Sequence, residues 1–390
     1  MPDRVFFIVC YGTVMNFGYA TLQIWLLQYR PKWPRWLGAC ALVWAGLMSG
    51  LLILQLCGPA AWEPFVRGYL YFPMAIEMVW NVLMLQLIVP GMILAALFIK
   101  RKRRLAAESR QPVATGVTRR EFIYLAGCGA APVLATGMGL HGLATQDDLR
   151  MRPFDIPVAN LPPGLEGFTI AHVSDLHSGI FVGPKRLKLM TDLTNDLKAD
   201  LVVVTGDLIN FLMEEFPDAL AAIQRLESRH GLYLCEGNHD VIPGDGLVLQ
   251  ACRQNHLAML WNETATLDLD GGRIIIGGLP WLSPNPGTSS RLVTDLFPAR
   301  AEGDVRILLA HHPHFFDVSD QVDLLLSGHT HGGQIMFGDV GLGSLRFKYN
   351  SGRFHRGNMT MIVNNGCGDW FPCRIGAPAE VGLLRLTKAA

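Results

Sequence analysis

Three runs of this chain, residues 5–28, 36–57 and 78–99, contain no charged residue at all. Each is long enough for a helix that crosses a hydrocarbon core about 30 Å thick, which takes roughly 20 residues. No ordinary water-soluble fold would hide three such runs in succession, so they predict membrane spans. A fourth run, 122–145, is uncharged between Glu121 and Asp147 but carries Gly127, Gly129, Pro132, Gly137 and Gly139, which lower helix propensity. It is read as a fourth span. Half of the 390 residues are hydrophobic and only 17% are charged, in keeping with a chain partly in lipid.

The formal net charge of zero conceals an asymmetry: residues 1–121 hold 13 Lys/Arg against 5 Asp/Glu, and the remainder 20 against 28. In the front the positive charge sits in two loops, Arg30, Lys32 and Arg35 between the first two runs, and Lys100 to Arg104 with Arg110, Arg119 and Arg120 before the fourth. Positive loops stay in the cytoplasm, so four spans place everything after about Asp147 outside. The segment Thr118-Arg119-Arg120-Glu121-Phe122-Ile123 resembles a twin-arginine export signal, here internal, and also reads as a plain juxtamembrane cluster; both put the arginines inside. The scattered polar residues Asn16, Glu77, Asn81 and Gln86 are read as interhelical hydrogen-bonding or interfacial groups rather than a pathway. The acidic back half has no basic stripe, which excludes nucleic acid as a partner. Eight cysteines, four in each part, form no CxxC pair, so they read as small core hydrophobes; Cys367 and Cys373 are near enough to bridge in an oxidising compartment.

From about Phe154 the texture changes to short β-branched runs between Gly, Pro and Asn. Strands are expected at 168–173, 201–205, 231–235, 273–277, 306–310, 324–327 and 360–364, with helices at 184–197 and 218–228. This predicts one layered α/β domain, 148–390, behind a membrane region, 1–147. Five of these strands end in polar groups of one kind. They are Asp175-Leu176-His177, Gly206-Asp207, Gly237-Asn238-His239-Asp240, His311-His312 and Gly328-His329-Thr330-His331. Ligands collect at the carboxyl edge of such sheets. Carboxylates, imidazoles and one amide oxygen, with no cysteine, suit Mn, Fe or Zn. Seven ligands are too many for one tetrahedral ion and enough for two that share a carboxylate.

The order D-x-H, G-D, G-N-H-D, A-H-x-P, G-H-x-H resembles the calcineurin-like metallophosphoesterase superfamily over about residues 165–387. Gly328 to Gln334 with Pro372–Arg374, Pro378 and Glu380 look like its branch of membrane-associated or twin-arginine-exported bacterial phosphodiesterases, related to enzymes that split UDP-diacylglucosamine. The resemblance implies a layered αββα sandwich behind the transmembrane helices, a multi-pass protein of the bacterial inner membrane, and two divalent ions (Mn, Zn or Fe) as cofactors. By position, Asp175, His177 and His331 would hold one ion, Asn238, His311 and His329 the other, and Asp207 would bridge. His239 would protonate the leaving oxygen, and hydroxide generated between the ions would attack phosphorus in line. Asp240, grouped with His239 as catalytic, is read as fixing the His239 tautomer, as an acceptor behind the ligands, or as a solvated loop acid. His312 and His314 stand where the family varies, His314 and Asn210 replacing acids common there. His172 is expected to be buried, His256 and His355 exposed.

The expected activity is hydrolysis of phosphate esters at the membrane, with the bilayer and an ester substrate, lipid-linked in one version, as partners. Two alternatives stand beside it: a UDP-2,3-diacylglucosamine pyrophosphatase with a cytoplasmic domain, and a non-catalytic metal-dependent membrane sensor. The intact ligand set disfavours the sensor, and the absence of paired intramembrane charges disfavours a transporter.

Overall fold

The computed structural model describes residues 147–370 apart from 339, residues 373–389 and, in the apolar front, the helix Trp36–Cys57, residues 133–141 and scattered positions between 13 and 145. The chain divides into two compact units, residues 1–144 with 371–373 and residues 145–370 with 374–390.

In the first unit, helix α1 (Trp36–Cys57) has 22 residues, none charged. Asn16, of the first apolar run, is buried there; its Nδ2 donates to Ser49 Oγ at 3.2 Å and its Oδ1 accepts from Trp80 Nε1 at 2.7 Å. Tyr19 and Trp44 set their rings edge-on to Trp80, with centroids at 5.0 and 5.2 Å. One amide thus ties all three runs together, the interhelical one of the two roles expected of Asn16. Glu77, Asn81, Gln86 and the twin-arginine segment lie outside the described residues. Among the described residues no helix is long and apolar enough to cross a membrane; the side chains of α1 are described only at 39–51 and 53.

Two six-stranded sheets and an antiparallel pair, β10 (Met336–Phe337) with β11 (Val340–Gly341), make the second unit. One has the order β1 (Leu149–Val158), β14 (Ala379–Lys388), β2 (Thr169–Val173), β3 (Leu201–Thr205), β4 (Leu232–Cys235), β5 (Ala258–Met259). The other runs β12 (Gly352–Arg356), β13 (Met359–Val363), β9 (Leu324–Ser327), β8 (Asp304–Leu309), β7 (Gly272–Gly278), β6 (Glu263–Leu269). Parallel pairing joins β2 to β3 to β4, and likewise β7 to β8 to β9. Strands buried on both faces read as unbroken apolar runs, and Leu201–Thr205 and Leu324–Ser327 are buried throughout. All seven expected strands form.

Ile170, Leu201 and Val203 from one sheet meet Ile274, Ile307, Leu324 and Leu326 from the other in a single core. On the outer faces, Ala171 and Val202 of the first sheet pack with Ala199 and Leu197, beside α2 (Pro184–Asp196) and α3 (Phe216–Ile223). Ile275, Leu308, Leu325 and Met361 of the second pack with Val293 of α5 (Pro286–Leu296) and with Phe297 and Phe315. The layers are therefore helix, sheet, sheet, helix. Helix α3 is shorter than the expected 218–228, and α4 (Leu247–Gln254) and α5 were not expected.

The strands missed in the sequence are edge or mixed strands. Leu149–Val158 carries Arg150, Arg152, Asp155 and two prolines, tolerable because it is the outermost strand of its sheet and pairs on one side only, in parallel with β14. Cys367 and Cys373 are buried thiols rather than a bridge; Cys367 Sγ donates to the Glu380 carbonyl at 3.0 Å.

Candidate metal centre

The turns after β2, β3, β4, β8 and β9 converge at one edge of the two sheets. Asp175, His177, Asp207, His329 and His331 all have positive φ, between 46° and 71°. A non-glycine residue in this region costs of the order of 1–3 kcal/mol and persists only where surrounding structure imposes it. Backbone bonds between the turns supply that imposition: Asp175 N donates to Gly206 O at 3.0 Å and His177 N to Asp207 O at 2.9 Å. The motif glycines have a steric reason. A Cβ on Gly237 would lie 2.2 Å from Asp207 Oδ1, and one on Gly328 would lie 2.1 Å from Asp175 Oδ2.

All seven expected ligands and His239 come together. Asp175, His177 and His331 form one group; Asp207, His311 and His329 form another; His177 and Asp207 also stand within reach of His239. His331 Nε2 is 3.1 Å from Asp175 Oδ1 and 3.0 Å from His177 Nε2. Asp207 Oδ2 lies 3.5 Å from His177 Nε2 and 3.1 Å from His311 Nε2, between the two groups. Asn238 Oδ1 is 2.6 Å from His329 Nδ1, which attaches the amide to the second group.

Hydrogen bonds behind these atoms aim them. His311 Nδ1–H donates to Thr205 O at 2.6 Å, which turns Nε2 toward the carboxylates as the atom free to bind an ion. That Nε2 is buried and has no hydrogen-bond partner, although two carboxylates lie within 4 Å of it. Behind Asp175 runs a chain: His172 Nε2–H to Thr205 Oγ1 at 2.8 Å, Thr205 Oγ1 to Ser174 Oγ at 2.7 Å, and Ser174 Oγ to Asp175 Oδ2 at 2.6 Å. His172 is buried, as expected, while His256 and His355 are exposed.

The electrostatics are those of a cation site. Burial opposes ionisation of Asp175 and Asp207, yet the imidazoles around them outweigh it and hold both below the ordinary carboxylate range. Burial also opposes charge on His311, but Asp207 and Asp175 raise it to about 10. His329 is lowered to about 3 by burial and by His311. Two buried carboxylates, four imidazoles and one amide oxygen, with an orphaned ring nitrogen among them, fit divalent ions of the Mn, Zn or Fe type.

Of the three readings of Asp240, the structure keeps one, the acceptor behind the ligands. It is fully buried, so it is not a solvated loop acid, and it does not set the His239 tautomer, because His239 Nδ1 donates to the Asn210 carbonyl instead. Its carboxylate accepts from Asp207 N at 2.9 Å, Leu208 N at 2.8 Å and Gly237 N at 2.8 Å, pinning the turn that carries Asp207 to the turn that carries Asn238. Burial, then the charge of Asp207, pushes its pKa up to about 7 against those donors.

Three more residues support the site: Arg374, read from the sequence only as part of a branch motif, and Glu215 and Trp281, which went unnoticed. Buried Arg374 donates to the carbonyls of Asn365 at 2.9 Å, Gly368 at 2.6 Å and Ala377 at 3.0 Å, and its Nη2 lies 3.2 Å from His331 Nδ1. Glu215 accepts from the backbone N–H groups of Asn210, Phe211 and Leu212, shaping the turn that supports His239. Trp281, past the end of β7, sets its ring 5.1 Å from His329. None belongs to a run of ligand-type residues, so only tertiary structure reveals them. Beside Asn238 and His329 a cavity of about 440 Å³ opens, walled by Trp281, His312, Arg346, Phe347 and Tyr349.

Residues 168–333 match the family model described as calcineurin-like phosphoesterase. A metallophosphoesterase of Bacillus subtilis, YkuE, itself uncharacterized, is 31% identical over 288 residues, 69% of this chain and 98% of that one. A zebrafish protein (Danio rerio) named transmembrane protein with metallophosphoesterase domain is 28% identical over 314 residues, 75% of this chain and 69% of its own. Against an uncharacterized Helicobacter pylori metallophosphoesterase, 31% identical, the match covers 55% of this chain and 58% of the relative. Among solved structures, the NAD nucleotidase of Haemophilus influenzae is 16% identical over 51% of this chain and 45% of that chain, with a TM-score of 0.37.

Proposed function

We propose, from the premise that the chain belongs to the calcineurin-like metallophosphoesterase family, that it is a phosphodiesterase working at a membrane surface with two divalent ions as cofactors. The observation that carries the diester reading is the cavity of about 440 Å³ beside Asn238 and His329. A phosphomonoester would leave that space to water, whereas the second alcohol of a diester has somewhere to go. Asp175, His177 and His331 would hold one ion and Asn238, His311 and His329 the other, with Asp207 between them. When bound, the pair supplies Lewis acidity that ionises water near neutral pH and offsets the charge of the phosphate.

The chain's own residues do the rest. Asp240 keeps the Asp207 and Asn238 turns in register through three backbone bonds. Ser174 and Thr205 orient Asp175 and His311. Asn210 fixes His239 by its Nδ1–H, so Nε2 is the atom that hands a proton to the departing alkoxide. Water is kept from half of the centre, where Asp175, His177 and His331 are buried.

The apolar front, the basic loops and the name carried by the zebrafish relative support a membrane anchor, and the charge pattern supports a catalytic unit outside the cytoplasm. Purified full-length chain loaded with Mn or Zn should hydrolyse methyl nitrophenyl phosphate faster than nitrophenyl phosphate; the reverse order would replace the diester reading with a monoesterase. The UDP-diacylglucosamine reading needs a cytoplasmic domain. Alkaline phosphatase fused after Ala390 should be active, and an inactive fusion beside a bright fluorescent-protein fusion would restore that alternative.

A further inference from the structure

We infer that the cavity beside Asn238 and His329 is a subsite for a second phosphate, carried on the alcohol portion of the diester and gripped by Arg346 and by His312 Nε2–H. The inference rests on the diesterase reading and adds to it the chemistry of the substrate's other end.

The direction of a three-residue relay follows from one bond whose polarity is not in doubt. The backbone N–H of His314 donates to His312 Nδ1 at 3.0 Å, so Nδ1 is an acceptor and the proton of neutral His312 sits on Nε2. His314 Nδ1 lies 3.0 Å from that same acceptor and must therefore donate to it, which makes His314 Nε2 an acceptor in turn. Ser289 Oγ, at 2.8 Å, donates to His314 Nε2. Ser289, His314 and His312 thus pass one polarity along the relay and end in the Nε2–H of His312, a residue of the cavity lining. His312 Nε2 meets no acceptor among the described residues.

Charge on the same wall points to what that N–H would meet. Lys348 lies 2.8 Å from Asp317, and Tyr349 donates its hydroxyl to the same carboxylate at 2.7 Å, so Lys348 is neutralised locally. Arg346 stacks on Phe347, its Cζ 5.8 Å from the ring centroid, and pairs with no carboxylate among the described residues. The lining therefore carries one uncompensated cation, planar and forked, next to one directed donor. A guanidinium with a neighbouring N–H suits the oxygens of a phosphate better than a neutral alcohol.

The test compares two esters on full-length, metal-loaded protein: methyl nitrophenyl phosphate, and the same ester with 2-phosphoethyl in place of methyl. Wild type should favour the phosphoethyl ester in kcat/KM by roughly 10- to 100-fold, the range for a hydrogen bond to a charged group. Arg346→Gln should remove that preference, and Arg346→Lys should restore part of it. His314→Phe, which breaks the relay, should lower the preference through KM rather than kcat. Equal turnover of the two esters by wild type, or a preference that survives Arg346→Gln, overturns the subsite and leaves the diesterase reading standing. No turnover of either ester overturns the diesterase reading and the subsite with it.

Discussion

Around Asp207 the centre divides into two halves of unlike surroundings. The half formed by Asp175, His177 and His331 is buried, backed by the His172–Thr205–Ser174 chain and by Arg374. In the other half only His311 is buried; Asn238 and His329 are partly exposed and face the cavity with Trp281 and His312. An enclosed set of ligands holds its ion by preorganisation, and exchanging that ion would require the strained turns to open. A half with two ligands on a cavity wall leaves coordination positions that substrate oxygen can take. On this account the enclosed half governs metal retention and the open half governs substrate, with Asp207 belonging to both.

The hardest blow to that division is Asp207→Ala. It should remove both ions together and abolish activity, because each half loses a ligand and the two dications lose the charge between them. Two full equivalents of metal in that variant would show that Asp207 bridges nothing.

His239→Ala comes next. Metal content should stay near wild type while kcat falls by about 10²–10⁴, the range for a lost general acid. The defect should shrink with nitrophenolate leaving groups, which depart without protonation. Loss of metal from this variant would instead make His239 a ligand, as its place beside His177 and Asp207 permits.

A paired experiment sharpens the contrast between the halves. Ser174→Ala removes a bond to Asp175 from behind and should weaken binding of one ion by about 10- to 100-fold. Trp281→Ala on the cavity wall should raise KM several-fold and leave metal affinity alone. If the two variants trade effects, the halves have been assigned the wrong way round.

The smallest effect concerns pH. Burial lowers the pKa of His172 to about 3 in the folded chain, against about 6.5 when exposed. Between those values the unfolded chain binds the extra proton, so the contribution is complete above pH 6.5 and is lost as pH falls toward 3. His172→Asn should remove this dependence, worth about 2 kcal/mol between pH 6.5 and 5 at 1.36 kcal/mol per pH unit. The Tm of wild type should drop more than that of the variant between pH 7 and pH 5; parallel drops would mean that His172 titrates normally.

How much of this was legible beforehand depends on which forces wrote the signal. Leu201–Thr205 and Leu324–Ser327 are buried on both faces, so their apolar runs announce them, and the ligand-type residues that follow stand at the expected turns. Leu149–Val158 was invisible because an outermost strand with charged, exposed positions has no apolar run to show. Asp240 stayed open among three readings because adjacency to His239 in sequence said nothing about its bonds, which go to Asp207, Leu208 and Gly237. Trp281 reaches the centre from afar in the chain, and the motif that contains Arg374 carried no sign of its contact with His331.

The account stands or falls on two ions sharing Asp207. Crystals of the full-length chain grown with Mn and measured for anomalous scattering should show two peaks about 3.5–4 Å apart, the spacing of known two-metal sites. One peak should lie among Asp175, His177 and His331 and the other among Asn238, His311 and His329, with Asp207 between them. A single peak, or two peaks with His239 in a coordination sphere and Asp207 outside both, would contradict it.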